Sequence, residues 1–191
     1  MKLSKLLFAA LIIFSSSATF AQGDTETDAH NLTITIPEVA LLDLEAPSNN
    51  TNVSLVGTHS TEAGDPVAFN ATNNSIWLNY SSIIGGSAKR NITVKITNGD
   101  VPNGLSLKVK AGTANTALGK GDFGTPEAAA VVINKTDDTQ IISNVGSVYT
   151  GTGINKGHNL TYSLEQSGSY ADLKHNGAGE TLTITYTLSD D

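Results

Sequence analysis

Leu32, Ile34 and Ile36 alternate with Asn31, Thr33 and Thr35. This period of two sets aliphatic side chains on one face of a strand and hydroxyls on the other. Pro37 ends that strand or marks an edge. The apolar run Val39-Ala40-Leu41-Leu42-Asp43-Leu44, bounded by Pro47-Ser48-Asn49-Asn50, reads as a second strand or as the first resumed after a kink. Alternation returns at Val53 and Leu55, at Val67 and Phe69, and at Ile76, Leu78 and Tyr80. Its clearest pair is Ile92-Val94-Ile96 with Leu105-Leu107-Val109. Asn98-Gly99 and Asn103-Gly104 between them supply the positive φ that tight connections need, so an antiparallel ribbon with a folded loop is predicted. Lys95, Lys108 and Lys110 fall on its opposite face, as a solvated surface that discourages edge pairing.

Residues 111–127 hold Gly112, Gly119, Gly121, Gly124 and Pro126 and read as loop, and Ala128-Ala129-Ala130 allows a single helical turn. Val131-Val132-Ile133 and then Ile141, Ile142 and Val145 return to strand character. Gly151-Thr152-Gly153-Ile154-Asn155-Lys156-Gly157 reads as a hairpin connection, and Leu160-Tyr162-Leu164 follows it. Leu182, Ile184, Tyr186 and Leu188 close the chain, alternating with Thr181, Thr183, Thr185 and Thr187. No segment of ten or more residues has a helical period. The expected fold is therefore all-β, an antiparallel sandwich of Ig-like or Greek-key type. With no Pro-rich or charged linker inside it, the sandwich is expected as one domain over residues 31–191, after a flexible lead-in at 22–30.

Composition narrows the chemistry. The chain has 191 residues, 39% hydrophobic and 15% charged, which is too apolar and too weakly charged for disorder and suits one domain with its own core. It contains no cysteine, which excludes disulfides, thiolate metal sites, a Cys nucleophile and a lipidated cysteine. Lys2 and Lys5 precede the apolar run Leu6 to Phe14, and small residues lead to Ala21, the layout of a secretory signal over residues 1–21. The apolar run is shorter than the ~20 residues of a membrane span, so no membrane span is expected. Cleavage removes Lys2 and Lys5 and no acid, taking the formal charge from -7 to -9. An acidic surface with scattered lysines repels phosphate backbones, so nucleic acid is not an expected partner. The expected location is outside the cytoplasm: periplasm, cell surface or medium.

No catalytic constellation stands out along the chain. His30, His59, His158 and His175 do not stand at spacings that pinch a metal, and no metal site or cofactor is expected from them. Gly146-Ser147 and Gly168-Ser169 lack the glycines of a nucleophile elbow. Asp65, Asp100, Asp122, Asp137 and Asp138 lie in loops that suit calcium, without the ordered spacing of a calcium loop. Gly151-Thr152-Gly153 is followed by a strand where a phosphate loop needs a helix start. Several Asn-x-Ser/Thr triplets, such as Asn91-Ile92-Thr93, are expected in a chain this rich in Asn, Ser and Thr. Among the aromatics, Trp77 reads as a core residue. Tyr80, Tyr149 and Tyr170 sit by loops and are the candidate ligand-binding residues.

Ile184-Thr185-Tyr186-Thr187-Leu188 resembles the closing strand of WxL-type bacterial cell-surface domains, with Tyr186 where that family has tryptophan; Trp77-Leu78 does not supply that family's first Trp-x-Leu motif. The signal and the Thr/Asn-rich alternating strands are also similar to fimbrial and pilin-like subunits. Both resemblances imply a non-catalytic role in surface attachment or assembly. The expected function is thus a secreted, non-enzymatic structural or adhesive subunit whose partners are copies of itself or surface and matrix components. The alternative is a carbohydrate-binding module that uses Tyr80, Tyr149 or Tyr170 on glycans. The sharpest structural question is whether residues 31–36 pair within their own sheet or stand ready for a neighbour.

Overall fold

A computed structural model describes residues 26–190. The expected signal, residues 1–21, and the start of the lead-in lie outside the described residues. Contacts divide the chain into two units, residues 1–35 and 36–191. The described part of the first unit is exposed throughout and contains no strand or helix.

The second unit is an all-β sandwich of two antiparallel sheets packed face to face. Its strands, numbered in chain order, are β1 (Val39–Glu45), β2 (Thr72–Ile83), β3 (Arg90–Asn98), β4 (Leu105–Ala111), β5 (Lys120–Gly121), β6 (Thr125–Pro126), β7 (Val131–Val132), β8 (Thr139–Val145), β9 (Val148–Tyr149), β10 (His158–Gln166) and β11 (Thr183–Asp190). The larger sheet contains β1, β2, β4, β5, β7, β9 and β10, and the smaller runs β11-β3-β8-β6.

β2 organises the larger sheet. Trp77 pairs with Glu45 of β1 on one side and Asn159 of β10 on the other, and Ser81 pairs with Leu41 of β1 and Tyr149 of β9. β9 and β10 therefore follow one another along the edge of β2 opposite β1. Residues 151–157 join them as a connection between two partners of β2, where a hairpin had been expected.

Alternation fixes the faces. Ile76, Leu78 and Tyr80 of β2, Leu107 and Val109 of β4 and Leu160 and Tyr162 of β10 point into the core, against Ile92, Val94 and Ile96 of β3 and Ile141, Ile142 and Val145 of β8. Each fully buried aliphatic among them contributes about 1.5–3 kcal/mol. Two backbone bonds of 2.9 Å tie the sheets along one side, from Ile133 N to Leu107 O and from Ile96 N to Asn134 O.

Several expectations change. β3 and β4 lie in different sheets and do not form a ribbon, because period two specifies which face is buried but not which strand is the neighbour. The loop expected over residues 111–127 contains β5 and β6. Residues 128–130 form no helical turn. Val53, Leu55, Val67 and Phe69 are half-buried but belong to no strand; a single bridge, Thr58 with Ala68, joins that region. Residues 31–36 also belong to no strand, so the regular sheet begins at Val39.

Candidate functional site

The arm of residues 31–36 has the pattern of a strand and the environment of none. Leu32, Ile34 and Ile36 are 76%, 78% and 74% exposed. A strand is stabilised by ladder bonds and by burial of one face, and these three aliphatics gain neither.

The chain immediately after the arm is fixed firmly. Arg90, the single arginine of the sequence, is buried at the head of β3. Its guanidinium pairs with Glu38 and with Asp190 of β11, and donates to the carbonyl of Val39. It also donates to Ser82 Oγ at 3.1 Å and to the carbonyl of Ile83 at 3.4 Å. One planar cation thus joins the start of β1, the end of β2 and the end of β11, using the several fixed donors that distinguish arginine from lysine.

Below this clamp the outer strands of the two sheets, β1 and β11, lie beside each other. Among the described residues β11 pairs with β3 alone, so its other edge carries no ladder. Leu42 and Leu44 of β1, together with Leu182, Ile184 and Leu188 on or next to β11, pack against the core yet stay only half-buried. The result is an apolar rim along an open edge. On the outer face of the smaller sheet, Thr97 Oγ1 and Thr185 Oγ1 lie 2.9 Å apart, the start of a threonine ladder.

The three candidate tyrosines are placed differently from one another. Tyr80 was expected to be exposed and is instead buried, because inward residues of β2 fall at even numbers. Its hydroxyl lies 2.5 Å from the carbonyl of Phe123 and 2.8 Å from His158 Nε2, two acceptors for one proton. Tyr149 is 46% exposed and shares a cleft of about 250 Å³ with Leu41, Asp43, Asn79, Ser81 and Thr152. Tyr170 stands apart in a 3₁₀ turn, where its hydroxyl accepts from Val67 N at 3.1 Å. Trp77, expected in the core, lies half-buried on the outer face of β2 between its pairing partners Glu45 and Asn159.

His158 is buried with both ring nitrogens engaged. Nδ1 donates to the carbonyl of Gly112 at 2.7 Å, since a carbonyl has no proton to give. That bond sets the tautomer and leaves Nε2 unprotonated, so the one proton of the Tyr80 hydroxyl is divided between Nε2 and the Phe123 carbonyl. The two rings stack with centroids 5.7 Å apart. Burial lowers the pKa of His158 below the usual imidazole value, overriding the nearby carbonyls of Gly112 and Phe123 that favour the cation. Burial first, and the charge of Asp122 second, hold the Tyr80 hydroxyl well above the ordinary phenol range. Burial thus favours the neutral form of both groups.

The loop acids are dispersed. Asp100 pairs with Lys135 at 2.9 Å, Asp138 with Lys95 at 3.3 Å, and Asp122 with Lys89, whose hydrogen bond lowers the carboxyl's pKa. Among the described residues no group of three His, Cys, Asp or Glu side chains could hold a metal ion, and no helix is long and apolar enough to cross a membrane.

The sequence singled out the arm but not its surroundings. Arg90 had one signal available, a lone arginine at the head of an alternating strand. The open edge of β11 had none, because edge position is a property of the assembled sheet. No protein family matches the chain, and no significant match was found among curated proteins or solved structures.

Proposed function

We propose that the protein is an exported, non-enzymatic structural subunit that joins copies of itself by donating residues 31–36 as a strand. The observation that carries this reading is the exposure of Leu32, Ile34 and Ile36 in a segment of strand pattern that belongs to no strand. Contiguous exposed apolar groups mark interaction sites. Strand addition satisfies such a segment fully, since the main chain gains a ladder and alternate side chains gain a buried face. Light scattering on the chain from residue 22 and on one beginning after Pro37 tests the reading. Oligomers of the longer chain and monomers of the shorter are expected; monomers of both would overturn it.

A second reading, glycan binding, is favoured by the cleft on the outer face of the larger sheet. There the exposed ring of Tyr149 stands with Asp43, Ser81 and Thr152, a flat apolar surface beside hydrogen-bonding groups. A glycan array probes it. Binding that Tyr149→Ala abolishes supports it, and an array without binding removes it.

A further inference from the structure

We propose that the acceptor of the arm is the free edge of β11 in a second copy of this chain. The proposal rests on the reading of residues 31–36 as a donated strand and adds where that strand goes.

The sequences of donor and acceptor match. Leu32-Thr33-Ile34-Thr35-Ile36 and Leu182-Thr183-Ile184-Thr185-Tyr186 differ only at the last position. Because side chains alternate with a period of two, laying one segment beside the other places aliphatics with aliphatics on the inner face and threonines with threonines on the outer face. Threonines paired across strands can hydrogen-bond through their hydroxyls, and the aliphatics share one buried face. The threonine ladder already begun by Thr97 and Thr185 would continue into Thr33 and Thr35.

The edge itself is suited to an incoming strand. β11 has eight residues and no ladder on its outer side among the described residues, enough for the six of the arm. β5, β6 and β7 have two residues each and offer no comparable template. β1 is long enough, but its outer face presents Leu41, Asp43 and Glu45, which would set carboxylates beside the arm's threonines. The aliphatics of an arm added to β11 enter the rim where Leu42, Leu44, Leu182, Ile184 and Leu188 are half-buried. This fifth strand widens the smaller sheet on the side where β11 has no ladder, and so satisfies an edge of the kind that proteins otherwise shield.

Donor and acceptor are different surfaces of one chain, so the contact is heterologous. Such contacts repeat head to tail and give a ring if the rotation closes and an open filament if it does not.

The absence of cysteine from the chain makes the test direct. Chains from residue 22 carrying Thr35→Cys are mixed, in separate reactions, with chains carrying Thr183→Cys, Thr185→Cys or Thr187→Cys, and oxidised. Asp43→Cys on β1 and Thr161→Cys on the outer face of β10 serve as controls. A disulfide-linked mixed dimer with at least one β11 variant, and none with the controls, is the expected result. Cross-links to Asp43→Cys, or none at all while light scattering still shows arm-dependent oligomers, would overturn the β11 assignment and leave strand donation standing. Monomers with or without the arm would overturn both.

Discussion

The hydroxyls of Tyr162 on β10 and Tyr186 on β11 meet at 2.7 Å in the core, a polar link between the two sheets. Burial raises the pKa of both, so both stay protonated and one donates to the other. Truncating one leaves the other buried and unpaired, at a cost of about 1–3 kcal/mol. Tyr186→Phe is therefore expected to lower the denaturant midpoint, and Tyr162→Phe combined with Tyr186→Phe is expected to recover part of the loss. Strictly additive losses in the double-mutant cycle would refute this pairing.

Arg90 and its two carboxylates make an asymmetric site. The guanidinium is buried, whereas Glu38 and Asp190 are largely exposed. Glu38→Gln should cost less than ~1 kcal/mol, because an exposed carboxylate contributes little. Arg90→Met should cost about 3 kcal/mol, since the carbonyls of Val39 and Ile83 and the hydroxyl of Ser82 all lose a charged donor. Equal effects in chemical denaturation would show that the carboxylates, and not the backbone contacts, set the value of the clamp.

How far the chain could be read from its sequence follows from what period two encodes. The alternation at Ile76, Leu78 and Tyr80 correctly gives one inward face, and it also shows that Tyr80 shares that face and Trp77 does not; loop proximity and ring size were weaker guides than parity. The same alternation at Leu32, Ile34 and Ile36 is a promise of burial that the single chain does not keep, since a strand's partner is chosen by tertiary or quaternary structure. The Arg90 clamp depends on Glu38, Ser82 and Asp190, far apart in sequence, and the open edge of β11 depends on the order of strands. Neither is a local property.

His158 makes stability depend on pH in a defined direction. Its folded-state pKa lies below the usual 6.5 because burial disfavours the cation. As pH falls below that value, the unfolded chain takes up a proton that the folded chain refuses, so unfolding becomes easier. The midpoint should decline as pH falls below 6.5, and level off once the folded-state pKa is passed. His158→Gln should flatten that part of the profile, in thermal melts taken across the range. An unchanged slope would assign the dependence to other groups.

Gly157 holds the approach of the chain to β2. Its φ is +61°, and a Cβ there would stand 2.1 Å from the carbonyl oxygen of Leu78. Gly157→Ala therefore meets both a left-handed backbone and a backbone collision that no side-chain rotation relieves. Strain of this kind costs of order 1–3 kcal/mol before the collision is counted. A variant as stable as the parent in urea would mean that the connection at 151–157 relaxes freely.

The arm separates stability from assembly in a way that one substitution reads. Ile34 is exposed, and exposed substitutions away from special backbone features change stability by about 0.5 kcal/mol or less. A donated strand, by contrast, must bury that side chain in its neighbour, where an unpaired carboxylate is strongly unfavourable. Ile34→Asp is expected to melt at the parent's temperature when both are dilute and monomeric, and to lose self-association at concentrations where the parent assembles. Thr33→Asp, on the face that the ladder leaves outward, should retain more association than Ile34→Asp. Equal loss from both would point to charge repulsion along the whole arm, and the alternation of Leu32, Ile34 and Ile36 would then have no part in recognition.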